Sequence, residues 1–128
     1  MPHVTVEYTD NLEAEADIPG LLRKIAARLA ESDGVFPVAG IRVRAVRLSE
    51  YVVADGGDNG FVHATIKVAP GRSQALMTPV FEAMFELMTI HFAGLMSRRP
   101  LALSLDVETS EPIGPFRRHN LGPEPADG

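Results

Sequence analysis

Twice in 128 residues the apolar pattern runs at a period of two, changes to the helical period, and returns to two. From Pro2 to Tyr8 the alternation is strict. Val4, Val6 and Tyr8 point one way and His3, Thr5 and Glu7 the other, as in a half-buried strand. Ile18, Leu22, Ile25 and Leu29 then recur at helical spacing, with Arg23, Lys24 and Arg28 on the wet side. Asp17 is placed to cap this helix, Pro19 falls in its first turn, and Gly34 is expected to end it. "GIRVRAVRL" (40–48) alternates again.

After the turn "ADGGDNG" (54–60), the sequence restarts. Val62, Ala64, Ile66 and Val68 alternate with His63, Thr65 and Lys67; "APGRS" (69–73) leads into a helical stretch ending near Arg99. "LALSLDVE" (101–108) then puts Leu101, Leu103, Leu105 and Val107 on one face. Strand–helix–strand, repeated, predicts the α+β class. Two such units form a four-stranded sheet with both helices on one face, because crossovers are right-handed. The outline is ferredoxin-like. The expected organisation is one domain over residues 1–110, built of pseudo-repeats at about 1–53 and 60–110. The Pro/Gly-rich tail, 111–128, fits neither helix nor central strand. It reads as either an extended arm over a neighbouring subunit or a frayed end, the stretch up to Phe116 being the part able to pack and Gly122 to Gly128 the looser part.

The second helix is apolar around most of its circumference, leaving a polar stripe of Thr78, Glu82, Glu86 and Thr89. A two-layer domain covers one face, so the surplus predicts subunit contact. Pro79 leaves two starts open. A helix from Ser73 loses the bond to the Ala75 carbonyl, whereas one beginning after Thr78 loses nothing.

Composition excludes several functions. A net charge of −5 argues against a nucleic-acid partner. The absence of cysteine removes disulfides, thiolate catalysis and cysteine-bound zinc. No apolar run approaches the ~20 residues of a membrane helix, and a signal-peptide layout is missing. The expectation is a cytoplasmic, soluble protein.

The familiar catalytic sets are missing. His3, His63, His91 and His119 have no metal-ligand spacing, no serine stands in a nucleophile elbow, and "DGGDNG" lacks a following lysine and precedes a strand. His91 reads as a packing or interface residue. What remains is Pro2 and the arginines. Pro2 can be an ordinary first strand residue. Loss of Met1 would instead make it a secondary amine, a base no other residue type supplies. Arg42 and Arg44, two apart on a strand, share a face. They either face solvent or cross-strand acids, or await an anion. Arg72, in a strand-to-helix turn, is either a plain loop residue or a bidentate carboxylate ligand.

These residues carry a resemblance. "MPH-VEYTDNL", "FP-AGIR-R", "ADG", "FVH-T-K", "GRS" and "HFA-LM-R-LALS" together resemble the 5-carboxymethyl-2-hydroxymuconate isomerase family of the tautomerase superfamily, from Met1 to about Glu108. The "GRS" is also similar to the loop of the shorter 4-oxalocrotonate tautomerases. The resemblance implies a tautomerase-like fold, a catalytic Pro2, and substrate-carboxylate roles for Arg42 and Arg72, extended more weakly to Arg44 and Phe116. It implies a homotrimer acting on a small-molecule polycarboxylate in aromatic-compound breakdown, with no metal and no organic cofactor. Two other functions stay open: a superfamily activity on a different enol acid, or a non-catalytic oligomeric module binding an acidic small molecule. Turnover lost on Pro2→Ala separates an enzyme from such a module.

Overall fold

A computed structural model describes residues 2–110, 113–114 and 116–122. In chain order, β1 (His3–Thr9) leads through a 3-10 turn (Asp10–Leu12) and the single turn α1 (Glu13–Ala16) into α2 (Ile18–Ala30) and β2 (Arg42–Leu48). Then β3 (Gly60–Val68), α3 (Gln74–His91), the short α4 (Ala93–Met96) and β4 (Leu101–Thr109) repeat the plan. The sheet order is β2-β1-β3-β4, with parallel outer pairs and an antiparallel centre. This is the α+β arrangement expected from the repeated pattern, two strand–helix–strand units side by side in one sheet. Its consequence for function is directional. The starts of β1 and β2 lie at the same end of the sheet as the finishes of β3 and β4.

The alternation sorts the two faces as read. Val4, Val6, Val62, Ala64 and Ile66 are fully buried beneath Leu21, Ile25 and Leu29 of α2 and Met84 and Met88 of α3. Each of these side chains larger than alanine contributes about 1.5–3 kcal/mol through burial, so the central strands anchor the core. The opposite face carries His3, Thr5, Arg42, Arg44, Thr65 and Lys67 in register and stays partly open.

Asp17 caps α2: its Oδ1 accepts the Gly20 N–H at 3.2 Å. The residue sits in the left-handed region (φ 45°), which aspartate tolerates better than most. The helix stops at Ala30, four residues before Gly34. The buried Ser32 turns the chain there, its carbonyl accepting the Val35 N–H (3.1 Å) and its Oγ the Phe36 N–H (3.0 Å). Gly34 serves inside this turn, at φ +82°, rather than at the helix cap. Leu21 is fully buried while Leu22 only borders the core.

The second helical stretch differs in two ways. It begins at Gln74, with Ser73 Oγ accepting the Leu76 N–H (3.2 Å), so Pro79 lies inside the helix and the Ala75 carbonyl loses its partner. It also breaks at Phe92 (φ −99°, ψ 7°) before α4. Of its apolar surplus, Leu76 and Ile90 are exposed. Beyond β4 the described tail residues form no helix or strand. Ile113 and Phe116 are exposed in the single chain, and most of the stretch expected to be loose lies outside the described residues.

Candidate active site

The first rungs of β1 and β2 place Pro2 beside Arg42. Pro2 is buried, and its carbonyl accepts the Arg42 N–H at 3.1 Å. The Arg42 guanidinium folds back over the preceding 3-10 turn, with Nη1 donating to the Ala39 carbonyl at 2.9 Å. Arg44 emerges on the same face, as the two-residue spacing required. Its Nη1 donates to His3 Nδ1 at 3.2 Å, which leaves the imidazole proton on Nε2. His3 is held below its ordinary pKa of 6.5, first by burial, then by the guanidinium charges of Arg44 and Arg42, and beyond them by Lys67. The residue next to Pro2 therefore registers a positive local field.

Arg72 reaches this end from the other half of the chain. The antiparallel β1–β3 register brings the finish of β3 beside the start of β1. The chain then turns through Gly71, at φ +110°, a conformation that strains any residue with a Cβ. Arg72 Nε donates to the Val35 carbonyl at 3.1 Å, and its guanidinium carbon lies 4.9 Å from the centroid of the Phe36 ring. Ser73 follows at once as the cap of α3.

Among the described residues, Arg42, Arg44 and Arg72 have no carboxylate within 4 Å. Main-chain carbonyls, a ring face and a neutral histidine are their partners. At the opposite end of the sheet, Arg47, Arg98 and Arg99 each meet an acid. Guanidinium groups held in place without a counter-charge can receive anionic oxygens bidentately. A groove of about 540 Å³ runs along the open sheet face, lined by His3, Thr5, Arg44, Lys67, Glu108 and Ile113. Pro2, Arg42 and Arg72 lie outside it. The structure thus gathers Pro2, Arg42 and Arg72 at one end of the sheet and puts Arg44 on the adjoining groove. Phe116 joins neither, its side chain being 90% exposed.

The other histidines are engaged elsewhere. His91 Nε2 donates to the Ala16 carbonyl (2.8 Å) and Nδ1 accepts from Lys24 Nζ (2.9 Å), a packing role that ties α3 to α2. His63 pairs with Ser104 Oγ at 2.6 Å. Among the described residues there is no cluster of three or more His, Asp or Glu that could hold a metal ion. Sequence reasoning missed His3 and Phe36. The first was visible as the covalent neighbour of Pro2 and the register partner of Arg42, the second only through a loop contact.

Comparisons with known proteins converge. The family model described as 5-carboxymethyl-2-hydroxymuconate isomerase matches residues 2–124. The chain is 43% identical to the 5-carboxymethyl-2-hydroxymuconate Delta-isomerase of Escherichia coli over 122 residues, covering 94% of this chain and 96% of the relative. A crystal structure of a 5-carboxymethyl-2-hydroxymuconate isomerase from Deinococcus radiodurans R1 superposes with a TM-score of 0.88 at 40% identity, over 93% of this chain and 90% of that one. A crystal structure of another 5-carboxymethyl-2-hydroxymuconate delta-isomerase gives 0.87 at 26% identity, over 94% and 89%.

Proposed function

The chain belongs to the 5-carboxymethyl-2-hydroxymuconate isomerase family, and from that membership we propose that this isomerase moves a proton and a double bond within 5-carboxymethyl-2-hydroxymuconate, using the Pro2 amine as general base. The observation that carries the reading is the set of arginines without acids at the end of the sheet where Pro2 is buried. A muconate of this kind bears several carboxylates and a dienol hydroxyl. Shifting its double bond means removing one proton and returning one to a different carbon.

A base that both accepts and releases works best with a pKa near the ambient pH. A free α-amino group titrates at about 7.7–8.0, and a secondary prolyl amine somewhat higher. Burial and neighbouring guanidinium charge both disfavour the protonated form, so both lower that value. In this account Arg42 and Arg72 take substrate carboxylates and help to keep Pro2 neutral, while Arg44 adds positive charge beside His3. Positive donors also stabilise the dienolate charge that develops as the proton leaves. The scheme requires removal of Met1, which lies outside the described residues. The half-exposed apolar side chains of α3 and β4, Phe85 and Val107 among them, support a further element of the proposal, assembly as a homotrimer.

The test is a spectrophotometric isomerisation assay with 5-carboxymethyl-2-hydroxymuconate on wild type and Pro2→Ala, with intact mass recorded on the same samples. The expected result is an active wild type starting at Pro2 and a kcat lowered by about 10²–10⁴ in the variant, the usual contribution of a positioned base. Full activity in a sample retaining Met1 contradicts the scheme.

A further inference from the structure

Arg72 is held by groups from the other half of the chain, and the way it is held limits how it can bind. Its Nε–H is spent on the Val35 carbonyl, while its guanidinium lies over the ring of Phe36. Among the described residues its two Nη groups have no protein partner. The side-on mode of gripping a carboxylate, through Nε and one Nη, is therefore closed, and the end-on fork is left available.

The clasp itself is rigidly founded. Phe36 is 1% exposed, its ring lies 6.1 Å from that of Phe81, and its N–H is fixed by the buried Ser32 hydroxyl. The Val35 N–H is fixed by the Ser32 carbonyl at 3.1 Å. A loop anchored in the core thus dictates the orientation of a long, otherwise flexible side chain.

We infer that Phe36 is a positioning residue, its ring and the adjoining Val35 carbonyl presenting the Nη fork of Arg72 end-on to a substrate carboxylate. The inference rests on the carboxylate-binding role proposed above for Arg72. It adds that the fork is oriented before substrate arrives, which lowers the ordering cost of binding. Nothing in the clasp touches the reacting atoms. Its loss should therefore raise KM and leave kcat nearly unchanged.

A double-mutant cycle on the intact enzyme tests this, with Phe36→Leu made alone and in an Arg72→Ala background. With Arg72 present, Phe36→Leu is expected to raise KM about fivefold with kcat within about twofold. In the Arg72→Ala background the same change should move KM less than about twofold, since the group being positioned is gone. Phe36→Tyr, which keeps the ring, should restore the wild-type KM. Equal effects of Phe36→Leu in both backgrounds overturn the inference while leaving the role of Arg72 intact. An unchanged KM in Arg72→Ala alone sinks that role and the inference with it. If Phe36→Leu does not fold, Phe36→Met carries the same cycle. Wild-type NMR gives a readout independent of activity. The Arg72 Nε–H is expected to be shifted upfield by the ring and slow to exchange; an averaged, freely exchanging signal overturns the inference.

Discussion

The two ends of the sheet are built alike and finished differently. Each is formed by the starts of one parallel strand pair and the finishes of the other, so Asn59, before β3, stands where Pro2 stands before β1. At the Asn59 end every arginine is closed by an acid. Arg99 meets Asp58 at 3.0 Å and donates to the Asn11 carbonyl at 3.1 Å; Arg47 meets Glu13 at 3.0 Å and Arg98 meets Glu15 at 3.5 Å. At the Pro2 end Arg42, Arg44 and Arg72 rest on carbonyls, a histidine and a ring, with no carboxylate within 4 Å among the described residues. One scaffold thus separates two uses of the same side chain. Closed pairs tie loops to the sheet, whereas open guanidinium groups keep their attraction for a ligand.

Substitution of an arginine at each end tests that contrast most severely. Arg72→Ala is expected to lower kcat/KM about 100-fold, through loss of a bidentate carboxylate contact, without unfolding the protein. Arg98→Ala, at the closed end, should leave kcat/KM within about twofold and stability within about 1 kcal/mol, as for other exposed pairs. Steady-state kinetics alongside thermal melts read both variants. Similar kinetic losses in the two would break the distinction between the ends.

A smaller effect, of opposite kind, is expected from Arg99→Ala. The Arg99 side chain is 16% exposed and its removal leaves the Asn11 carbonyl without its donor. A loss of about 1–3 kcal/mol in denaturant unfolding follows, with activity per folded molecule unchanged. A drop in activity without a drop in stability would show that the closed end also has a catalytic function.

The smallest expected effect is a titration. Because His3 is held below 6.5 in the folded protein, the unfolded chain binds the extra proton first as pH falls. The neutral form's contribution to stability is therefore intact above pH 6.5 and is lost as the pH drops from there toward the folded value. An NMR titration should place the His3 midpoint below 6.5, and Arg44→Ala should move it upward. A midpoint insensitive to Arg44 would remove the positive field inferred at the Pro2 end.

Period alone revealed much of this architecture. Strict alternation assigned Val4, Val6, Val62, Ala64 and Ile66 to the buried face, and the spacing of Arg42 and Arg44 put both on one face, which the register shows to be the open one. Asp17 was recognisable as a cap because a side-chain carboxylate just ahead of a helical pattern has a local partner. Features decided by distant partners were less legible. The end of α2 at Ala30 depends on a buried serine binding two later amides, and Gly34 imitates a stop signal without supplying it. The break at Phe92 falls ahead of the nearest glycine, Gly94, which lies inside α4 and does not mark it.

The site divides in the same way. Arg72 could be singled out from its turn, but its seat on Phe36 joins residues far apart in sequence. That Arg42, Arg44 and Arg72 lack acids was likewise hidden in composition. The chain is acidic overall, and only strand register shows where the carboxylates do not go.

Catalysis of this kind depends on the protonation of one nitrogen, that of Pro2. Enzyme labelled with ¹⁵N-proline, confirmed by mass to begin at Pro2, can be titrated by NMR while kcat/KM is followed over the same pH range. The expected result is a Pro2 midpoint below that of the same amine in the unfolded chain, matching the acidic limb of the rate profile and rising in Arg72→Ala. A midpoint equal to the unfolded value and indifferent to Arg72, in enzyme that is fully active, would contradict it.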